Sequence, residues 1–218
     1  GFDYVTCNVC RTLYARTRLT FDNLKQFYSK AASTEYWIRE FFAPMVEARR
    51  EKIFKPRAEY LANYIGRDLG WFIGDIGAGF GLFIDEMKKL WSIGRYVAIE
   101  PSLDQARICE QLNVQVECCF LEELKGYEER FDLLTAFELA EHLYDPSDFI
   151  SCVYRLLKPG GFFLITTLNG EGFDIQILWE HAKNIYPPCH INFFNPGSLS
   201  SLLISNGFEI MEIKTPGK

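Results

Sequence analysis

The feature that most constrains this chain is a glycine-rich turn, Asp75-Ile76-Gly77-Ala78-Gly79-Phe80-Gly81. An apolar run, Trp71 to Ile76, leads into the turn, and an amphipathic segment, Leu82 to Trp91, follows it directly. Glycines allow a tight turn and a close approach of a ligand to the main chain, and the N-terminus of the following helix offers unpaired N–H groups. A strand, a glycine turn and a helix in this order predict a ligand loop at the carboxyl end of a parallel sheet.

Short apolar runs alternate with segments of helical period from residue 71 onward. This alternation predicts an α/β fold, a doubly wound Rossmann-like sheet that is mostly parallel with an antiparallel edge strand. Helices are predicted to begin at Asp145-Pro146 and Asn195-Pro196, because each pair supplies an N-cap and a first helical residue. The predicted strands are Trp71–Ile76, Tyr96–Ile99, Val114–Cys118, Leu133–Phe137, Phe162–Thr167 and Phe208–Ile213.

The chain is expected to have three parts. Residues 66–218 form the α/β domain, and residues 20–65, with aromatic residues at helical spacing and breaks at Pro44 and Pro56, form an N-terminal helical cap. Residues 1–19 contain Cys7-Asn8-Val9-Cys10, which has the spacing of half a zinc ribbon. No other cysteines are paired at a suitable spacing, so the other two ligands of a full site are expected upstream of Gly1, in a chain that is expected to be truncated. The alternative is a pair of buried or adventitious thiols.

Composition excludes several classes of protein. With 48% apolar and 24% charged residues the chain is globular, and no apolar run approaches the roughly 18 residues of a membrane helix. Seven cysteines, an odd number, favour a cytoplasmic location over a disulfide framework. Residues 61–218 carry 12 Lys/Arg against 22 Asp/Glu, so they repel a polyanion. We therefore expect no nucleic-acid partner and no membrane partner, and the oligomeric state stays open.

The spacing of the glycines predicts the kind of ligand. A nicotinamide or flavin site needs G-x-G-x-x-G, with a pyrophosphate at the helix N-terminus. This chain instead has G-x-G-x-G with Asp75 two residues before it. Glu100 ends the second predicted strand, where a carboxylate can accept hydrogen bonds from both hydroxyls of a ribose. The predicted ligand therefore carries adenosine but no phosphate.

Five segments in the same order resemble the class I S-adenosylmethionine-dependent methyltransferases: D-I-G-A-G-F-G, Glu100 at the end of strand two, F-D-L-L-T-A-F-E-L-A-E-H-L, L-K-P-G-G and N-G-F-E. The resemblance covers about residues 60–215 and is to the small-molecule branch, which includes ubiquinone-pathway O-methyltransferases and sugar methyltransferases. It implies S-adenosyl-L-methionine as the cofactor. It also implies that Gly77, Gly79 and Gly81 cradle the methionine part, that Asp75 holds the loop and the ammonium group, and that Glu100 binds the ribose.

The same resemblance implies three further contacts with the cofactor. Cys119 and Phe120 stand beside the adenine, where the family usually has an acidic residue and an apolar one. A thiol accepts a hydrogen bond from the adenine amino group less strongly than a carboxylate does, so this contact departs from the family pattern. Phe137 is expected to border the cofactor and the substrate, with a plain core position as the alternative.

Glu138, Glu141 and His142 follow the fourth predicted strand at a spacing that puts them on one face of a helical turn. The segment E-x-x-E-H resembles a divalent-metal motif of some relatives, in which a later histidine, here His190, completes the set. Other relatives carry E-H-L at this place without metal, so His142 and His190 are the predicted catalytic residues, as base or orienting groups. A divalent metal and a purely structural role remain open.

These patterns predict methyl transfer to a hydroxyl or carbon of a sugar or quinone-like small molecule. Aromatic residues of the cap are expected to build the acceptor pocket, namely Phe27, Tyr28, Tyr36 and Trp37. Two other hypotheses stay open: an NAD-dependent oxidoreductase or epimerase, which the glycine spacing disfavours, and a catalytically silent cofactor-binding partner.

Overall fold

The computed structural model describes residues 3–30, 36, 40, 43–66 and 70–215, so Trp37 of the predicted acceptor pocket lies outside the described residues. The chain divides into two compact units. The first unit comprises Gly1–Phe21, Phe137–Tyr154 and Ile165–Lys218, and the second comprises Asp22–Ala136 and Arg155–Leu164. The three-part division drawn from the sequence stays a prediction.

The central sheet has five strands in the order β5-β4-β3-β6-β7. Its strands are β3 (Phe72–Ile76), β4 (Arg95–Ile99), β5 (Gln115–Glu117), β6 (Phe131–Phe137) and β7 (Leu157–Thr166). The pairs β3–β4, β3–β6 and β4–β5 are parallel. All five residues of β3 are buried, as expected for a central strand covered on both faces. The predicted α/β class and the mostly parallel sheet are confirmed.

The first unit carries a second sheet, antiparallel, in the order β1-β2-β8. Its strands are β1 (Tyr4–Thr6), β2 (Leu13–Ala15) and β8 (Asn192–Phe193). Leu13 and Phe193 are paired across β2 and β8, and both belong to a buried cluster with Leu168, Ile175 and Ala182. Burial of these apolar side chains holds the N-terminal hairpin against β8.

Helices connect the strands as the capping signals predict. Their bounds are α1 (Phe21–Lys30), α2 (Val46–Arg49), α3 (Lys55–Ile65), α4 (Leu82–Leu90), α5 (Leu103–Glu110), α6 (Pro146–Leu156), α7 (Phe173–Leu178) and α8 (Pro196–Ser205). The Asp145 carboxylate accepts from the N–H groups of Ser147 and Asp148, both at 3.0 Å, before α6. The Asn195 side chain accepts from Ser198 N at 2.8 Å before α8. Both predicted helix starts are therefore confirmed.

One predicted strand, Phe208–Ile213, is not found: residues 208–215 form neither helix nor strand. Phe208 N donates back to Leu203 O at the end of α8, and the Phe208 ring packs edge-on against Tyr154 at 5.3 Å. Met211 and Ile213 are 63% and 53% exposed, so their alternation with glutamate buries no apolar face. Antiparallel pairing is instead found in the sheet of the first unit.

In the part of the chain that the structure describes, every helix is too short or too polar to cross a bilayer.

Candidate functional site

The glycine turn after β3 is held in shape by its own main chain. Gly77, Gly79 and Gly81 have φ angles of +66°, +57° and +67°, a region that residues with a Cβ rarely adopt. Gly77 N donates to Ile99 O and Gly81 N donates to Ala78 O, both at 2.8 Å. The turn therefore folds over the end of β4 before α4 begins.

Glu100 lies beneath this turn and is 5% exposed. Its Oε2 accepts from Gly79 N at 2.8 Å, and its Oε1 accepts from Ser102 N at 2.9 Å. Burial raises the pKa of Glu100, and these two N–H donors oppose the rise. Because the Gly79 N–H is already bound to a carboxylate, the turn does not present it to a pyrophosphate. Each carboxylate oxygen has a second lone pair with which it can accept from a hydroxyl.

Asp75, the second carboxyl group of the turn, is 3% exposed and accepts from Thr135 Oγ1 at 2.7 Å. Burial raises the pKa of Asp75 to about 7, the Thr135 hydrogen bond opposes this rise, and the nearby Glu100 adds to it. Two buried carboxyl groups so close together repel an anion. They suit a ligand that brings hydroxyl groups and a positive charge.

Cys119 and Phe120 follow β5 and are half-buried. Burial, with the charge of Glu117 adding to it, raises the pKa of the Cys119 thiol to about 11, so the thiol is neutral at pH 7. Helix α1 approaches this segment, because Lys25 pairs with Glu123 and its Nζ lies 5.7 Å from the centre of the Phe120 ring. Part of the predicted cap thus contacts the predicted adenine-binding segment.

The sequence analysis missed several residues that shape the turn. Thr135 holds Asp75, the Ser102 N–H holds Glu100, and the Cys109 thiol donates to Gly79 O at 3.2 Å. The role of Thr135 could have been predicted from the sequence, since it is the one hydroxyl in the apolar run Leu133–Phe137. The contacts of Cys109 and Lys25 could not have been predicted, because they depend on tertiary packing.

Phe137 ends β6 and is 9% exposed. The next residue, Glu138, has a φ of +51°, which is strained for a residue with a side chain. Its N–H donates to Thr166 O at 3.0 Å, and its Oε1 accepts from Thr166 Oγ1 at 3.1 Å. The backbone thus turns sharply where β6 ends.

Three side chains in the first unit converge as metal ligands do: Glu141, His142 and His190. One ligand atom from each lies within 4.8 Å of the others, and the two imidazole rings are 4.9 Å apart. Glu141 is 2% exposed and accepts from Thr167 Oγ1 at 2.8 Å. Glu138 stands outside this group, so the structure brings together three of the four predicted ligands.

Hydrogen bonds assign the tautomers of both histidines. His142 Nδ1 lies 2.9 Å from Cys189 O, and His190 Nδ1 lies 2.6 Å from Asn184 O. A carbonyl oxygen only accepts, so each Nδ1 donates a proton to it, and Nε2 is the ring nitrogen left to bind a ligand. Burial and the neighbouring His190 lower the pKa of His142 to about 4. Two imidazoles oriented in this way, with one carboxylate, fit a borderline divalent cation.

Comparison with known proteins identifies relatives of the chain. The family model described as "Methyltransferase domain" matches residues 45–213. The mouse protein named "Ubiquinone biosynthesis O-methyltransferase, mitochondrial" is 29% identical over 92% of this chain and 60% of its own length. A ubiquinone biosynthesis O-methyltransferase of Coxiella burnetii is 30% identical over 66% of each chain. The chain thus spans 60% of the mouse relative and 43% of the human one.

Solved structures share the fold. A SAM-dependent methyltransferase from Thermotoga maritima aligns with a TM-score of 0.56 and 23% identity over 78% of this chain and 80% of that one. The geranyl diphosphate C-methyltransferase of Streptomyces coelicolor, solved with Mg²⁺, geranyl diphosphate and S-adenosyl-L-homocysteine, aligns with a TM-score of 0.56 and 17% identity over 69% of this chain and 57% of that one. At these identities the comparison establishes the fold.

Proposed function

This chain belongs to the methyltransferase domain family, and from that premise we propose that it transfers a methyl group from S-adenosyl-L-methionine to a small-molecule acceptor. The observation that carries the proposal is the pair of buried carboxyl groups, Asp75 and Glu100, beneath the glycine turn. These carboxyl groups disfavour a pyrophosphate and suit a ribose and an ammonium group. The acceptor class we propose is a hydroxyl or carbon of a sugar or quinone-like compound.

In this proposal the second unit binds the cofactor. Glu100 accepts hydrogen bonds from the ribose hydroxyls through the second lone pairs of its oxygens, while Gly79 and Ser102 hold the carboxylate in place. Asp75 in its ionised form pairs with the ammonium group of the methionine part, which passes over Gly77, Gly79 and Gly81. Cys119 and Phe120 border the adenine, the first as a neutral thiol. Phe137 belongs to the first unit, and its place beside the cofactor stays a prediction from the sequence.

The bound cofactor supplies a methyl group on a positively charged sulfur, which is already an activated electrophile. The protein therefore has to align the acceptor atom with that methyl group and exclude water. An acceptor hydroxyl must also lose its proton. His142, with a pKa of about 4, holds a proton poorly at neutral pH, so we assign it to orienting the acceptor and assign proton acceptance to His190.

As an alternative use of the same Nε2 atoms, in place of proton acceptance by His190, we propose that Glu141, His142 and His190 bind a divalent cation. The support is their spacing, with ligand atoms within 4.8 Å, and the backbone carbonyls that orient both Nε2 atoms. A divalent cation there would supply Lewis-acid binding of a hydroxyl-bearing acceptor. A cytoplasmic location and the lack of a nucleic-acid partner stay predictions from composition.

The test is calorimetric titration with S-adenosyl-L-homocysteine and, separately, with NAD. We expect binding of the first ligand only, and at least a tenfold loss of affinity in Glu100→Gln, because an amide accepts hydrogen bonds at one atom instead of two. Glu110→Gln, an exposed position at the end of α5, is the matched control and should bind as the parent does. Tight NAD binding, or parental affinity in Glu100→Gln, would contradict the proposal.

A catalytically silent binding partner is the remaining alternative. Incubation of the protein with S-adenosyl-L-methionine and pools of phenolic, sugar and carbon-acid acceptors separates the two. If the protein is a methyltransferase, we expect release of S-adenosyl-L-homocysteine that depends on an acceptor. Tight cofactor binding without turnover across all pools would favour the silent partner.

A further inference from the structure

Asn192, the first residue of β8, is a buried polar side chain that the proposed chemistry does not use. It is 5% exposed. Its Nδ2 donates to Leu143 O at 2.7 Å and to Ala140 O at 3.3 Å. These two carbonyl oxygens bracket a short 3-10 turn that carries two of the three clustered side chains, Glu141 and His142. One side-chain amide therefore holds both ends of this turn.

The third clustered side chain stands on the same stretch of chain as Asn192. His190 lies two residues before it, and the residue between them also binds the turn, because Ile191 N donates to Glu141 O at 2.7 Å. Two adjacent residues, one through its side chain and one through its main chain, thus fasten the turn to the segment that carries His190. The relative position of the three clustered side chains depends on this connection.

The amide group suits this task for a chemical reason. Its nitrogen carries two hydrogens, so it can donate to two carbonyl oxygens at once, whereas an ionised aspartate or a leucine of similar size donates to none. The main-chain bond within the turn, from Leu143 N to Ala140 O, is long at 3.4 Å. Without the amide of Asn192, both carbonyl oxygens would lose a donor in a buried place, which favours a different conformation of the turn.

The strand that carries Asn192 is itself held by the N-terminal hairpin. Strand β8 pairs antiparallel with β2. Ala15 N donates to Ile191 O at 2.8 Å, and the Tyr4 hydroxyl donates to His190 O at 2.7 Å. The match to the methyltransferase domain begins at residue 45, so the hairpin lies outside the matched residues. The hairpin therefore fixes the strand from which Asn192 holds the turn.

We propose that Asn192 is a positioning residue: it holds Glu141 and His142 in place against His190 and takes no part in the chemistry itself. Proton acceptance by His190 and binding of a cation both require this arrangement of the two imidazoles. The effect of Asn192 on catalysis rests on the methyl transfer proposed above. Its effect on the distance between the two rings does not, and this distance can be measured without an acceptor.

The test is nuclear magnetic resonance of the 218-residue protein with isotope-labelled histidine rings. The chain has three histidines, and His181→Gln identifies the signal of the third. The rings of His142 and His190 lie 4.9 Å apart, so their ring protons should give a nuclear Overhauser cross-peak. We expect this cross-peak in the parent and its loss in Asn192→Asp, which keeps the shape of the side chain, and in Asn192→Leu, which adds no charge.

Asn206→Asp is the matched control, because Asn206 also donates from Nδ2 to a main-chain carbonyl, Leu202 O at 2.9 Å, but at the end of α8. This variant should keep the cross-peak. The Asn192 variants should still bind S-adenosyl-L-homocysteine as the parent does, since the proposed cofactor residues Asp75 and Glu100 belong to the second unit. Failure of the parent to bind this ligand would contradict the proposed methyl transfer and would leave the ring measurement unaffected.

A measurement on the parent alone covers the case in which neither variant folds. The side-chain amide protons of Asn192 should exchange with solvent at least about tenfold more slowly than those of the exposed Asn113. Equally fast exchange at the two residues, or absence of the cross-peak in the parent, would overturn the inference. So would a cross-peak that persists in folded but less stable Asn192 variants, because Asn192 would then only stabilise the fold, or an equal loss in Asn206→Asp.

Discussion

Asp75 is the residue whose ionisation responds most directly to the ligand proposed here. Its pKa of about 7 places its titration at physiological pH, whereas an exposed aspartate is fully ionised there. A ligand with an ammonium group favours the ionised form of Asp75. Cofactor binding is therefore expected to release protons when the protein is below about pH 7.

The first prediction concerns Asp75→Asn. In the folded protein the Asp75 pKa is raised, so the folded state holds a proton that the unfolded chain releases above about pH 4. Asp75 therefore contributes most to stability at low pH, and this contribution is lost as the pH rises through about 7. We expect the asparagine variant to gain stability relative to the parent at pH 8 compared with pH 5, by about 3 kcal/mol at most, because the Asp75 contribution falls by about two pKa units between pH 5 and pH 7. Urea unfolding at the two pH values measures this, and an equal difference at both would contradict it.

The second prediction concerns Thr135→Val, which keeps the shape of the side chain but removes the donor to Asp75. Because that hydrogen bond opposes the rise of the Asp75 pKa, its loss should raise this pKa further. The affinity for S-adenosyl-L-homocysteine, which we expect to increase with pH, should then increase at a higher pH than in the parent. Thr135→Ser retains a hydroxyl and should keep the parental midpoint. A profile for the valine variant that overlays the parent would contradict the assignment.

Among the structural elements, the glycine turn allows the effect of backbone strain on stability to be distinguished from the effect of a substitution on cofactor binding. A Cβ added at Gly79 or at Gly126 meets nothing within 4 Å, and both residues have positive φ angles, +57° and +80°. A methyl group at Gly81 would instead lie 2.5 Å from Leu112 Cδ1 and 3.2 Å from Cys109 Sγ. The three positions therefore allow backbone strain, steric clash and ligand contact to be measured separately.

The third prediction compares alanine variants at these positions. Gly79→Ala and Gly126→Ala should each lose about 1 kcal/mol of stability, because both place a Cβ in left-handed backbone. Only Gly79→Ala should lose affinity for S-adenosyl-L-homocysteine, since its methyl group enters the space proposed for the cofactor. Gly81→Ala should be less stable than either. Thermal unfolding measures the loss of stability, and calorimetry measures the affinity for S-adenosyl-L-homocysteine. Equal affinity of the Gly79→Ala and Gly126→Ala variants would contradict the assignment of the turn to the cofactor site.

Elements whose signal is local were predictable from the sequence. Strands β3 and β4 and helices α4, α6 and α8 follow from apolar runs, helical periods and caps, and the match over residues 45–213 confirms the family indicated by the motifs. The small sheet was missed because β8 has two residues and pairs Leu13 with Phe193 far along the chain. Period and propensity carry no information about such distant pairing. The alternation in Phe208–Ile213 predicted a strand although nothing buries its apolar face.

The same limit applies to the candidate site. Asp75 and the glycines form one continuous sequence motif, and Glu100 follows the next predicted strand. The meeting of His142 with His190 depends instead on tertiary structure. The E-x-x-E-H resemblance included Glu138 in a metal site that was left open, whereas the cluster found among the described residues is Glu141, His142 and His190. A sharp backbone turn after a strand cannot be derived from residue spacing.

For the molecule as a whole, cofactor binding and the later chemistry are assigned to residues in different units. The cofactor residues Asp75 and Glu100 belong to the second unit, and His142 and His190 belong to the first. Substitutions of Asp75 or Glu100 should therefore change the affinity for the cofactor, and substitutions of His142 or His190 should change the rate of methyl transfer.

The fourth prediction follows from this separation. Glu141→Gln and His142→Ala should leave the affinity for S-adenosyl-L-homocysteine within twofold of the parent, and should lower methyl transfer at least tenfold once an acceptor is found. Treatment with a chelator should lower transfer in the parent and have little effect on the variants, and added divalent metal should restore only the parent. Full transfer by the chelated parent would contradict the metal proposal, and weakened cofactor binding in the variants would contradict the separation of roles.

The first unit is assembled from three stretches of the chain, with the Tyr4–Ala15 hairpin paired to Asn192–Phe193 near the other end. During synthesis on a ribosome the hairpin emerges well before its partner strand β8, because the whole central sheet lies between them in the sequence. Until then the outer edge of β2 exposes unpaired backbone groups to neighbouring nascent chains. Production of this protein should therefore depend on chaperone supply and on translation speed more than production of a protein in which an N-terminal hairpin has no distant partner strand.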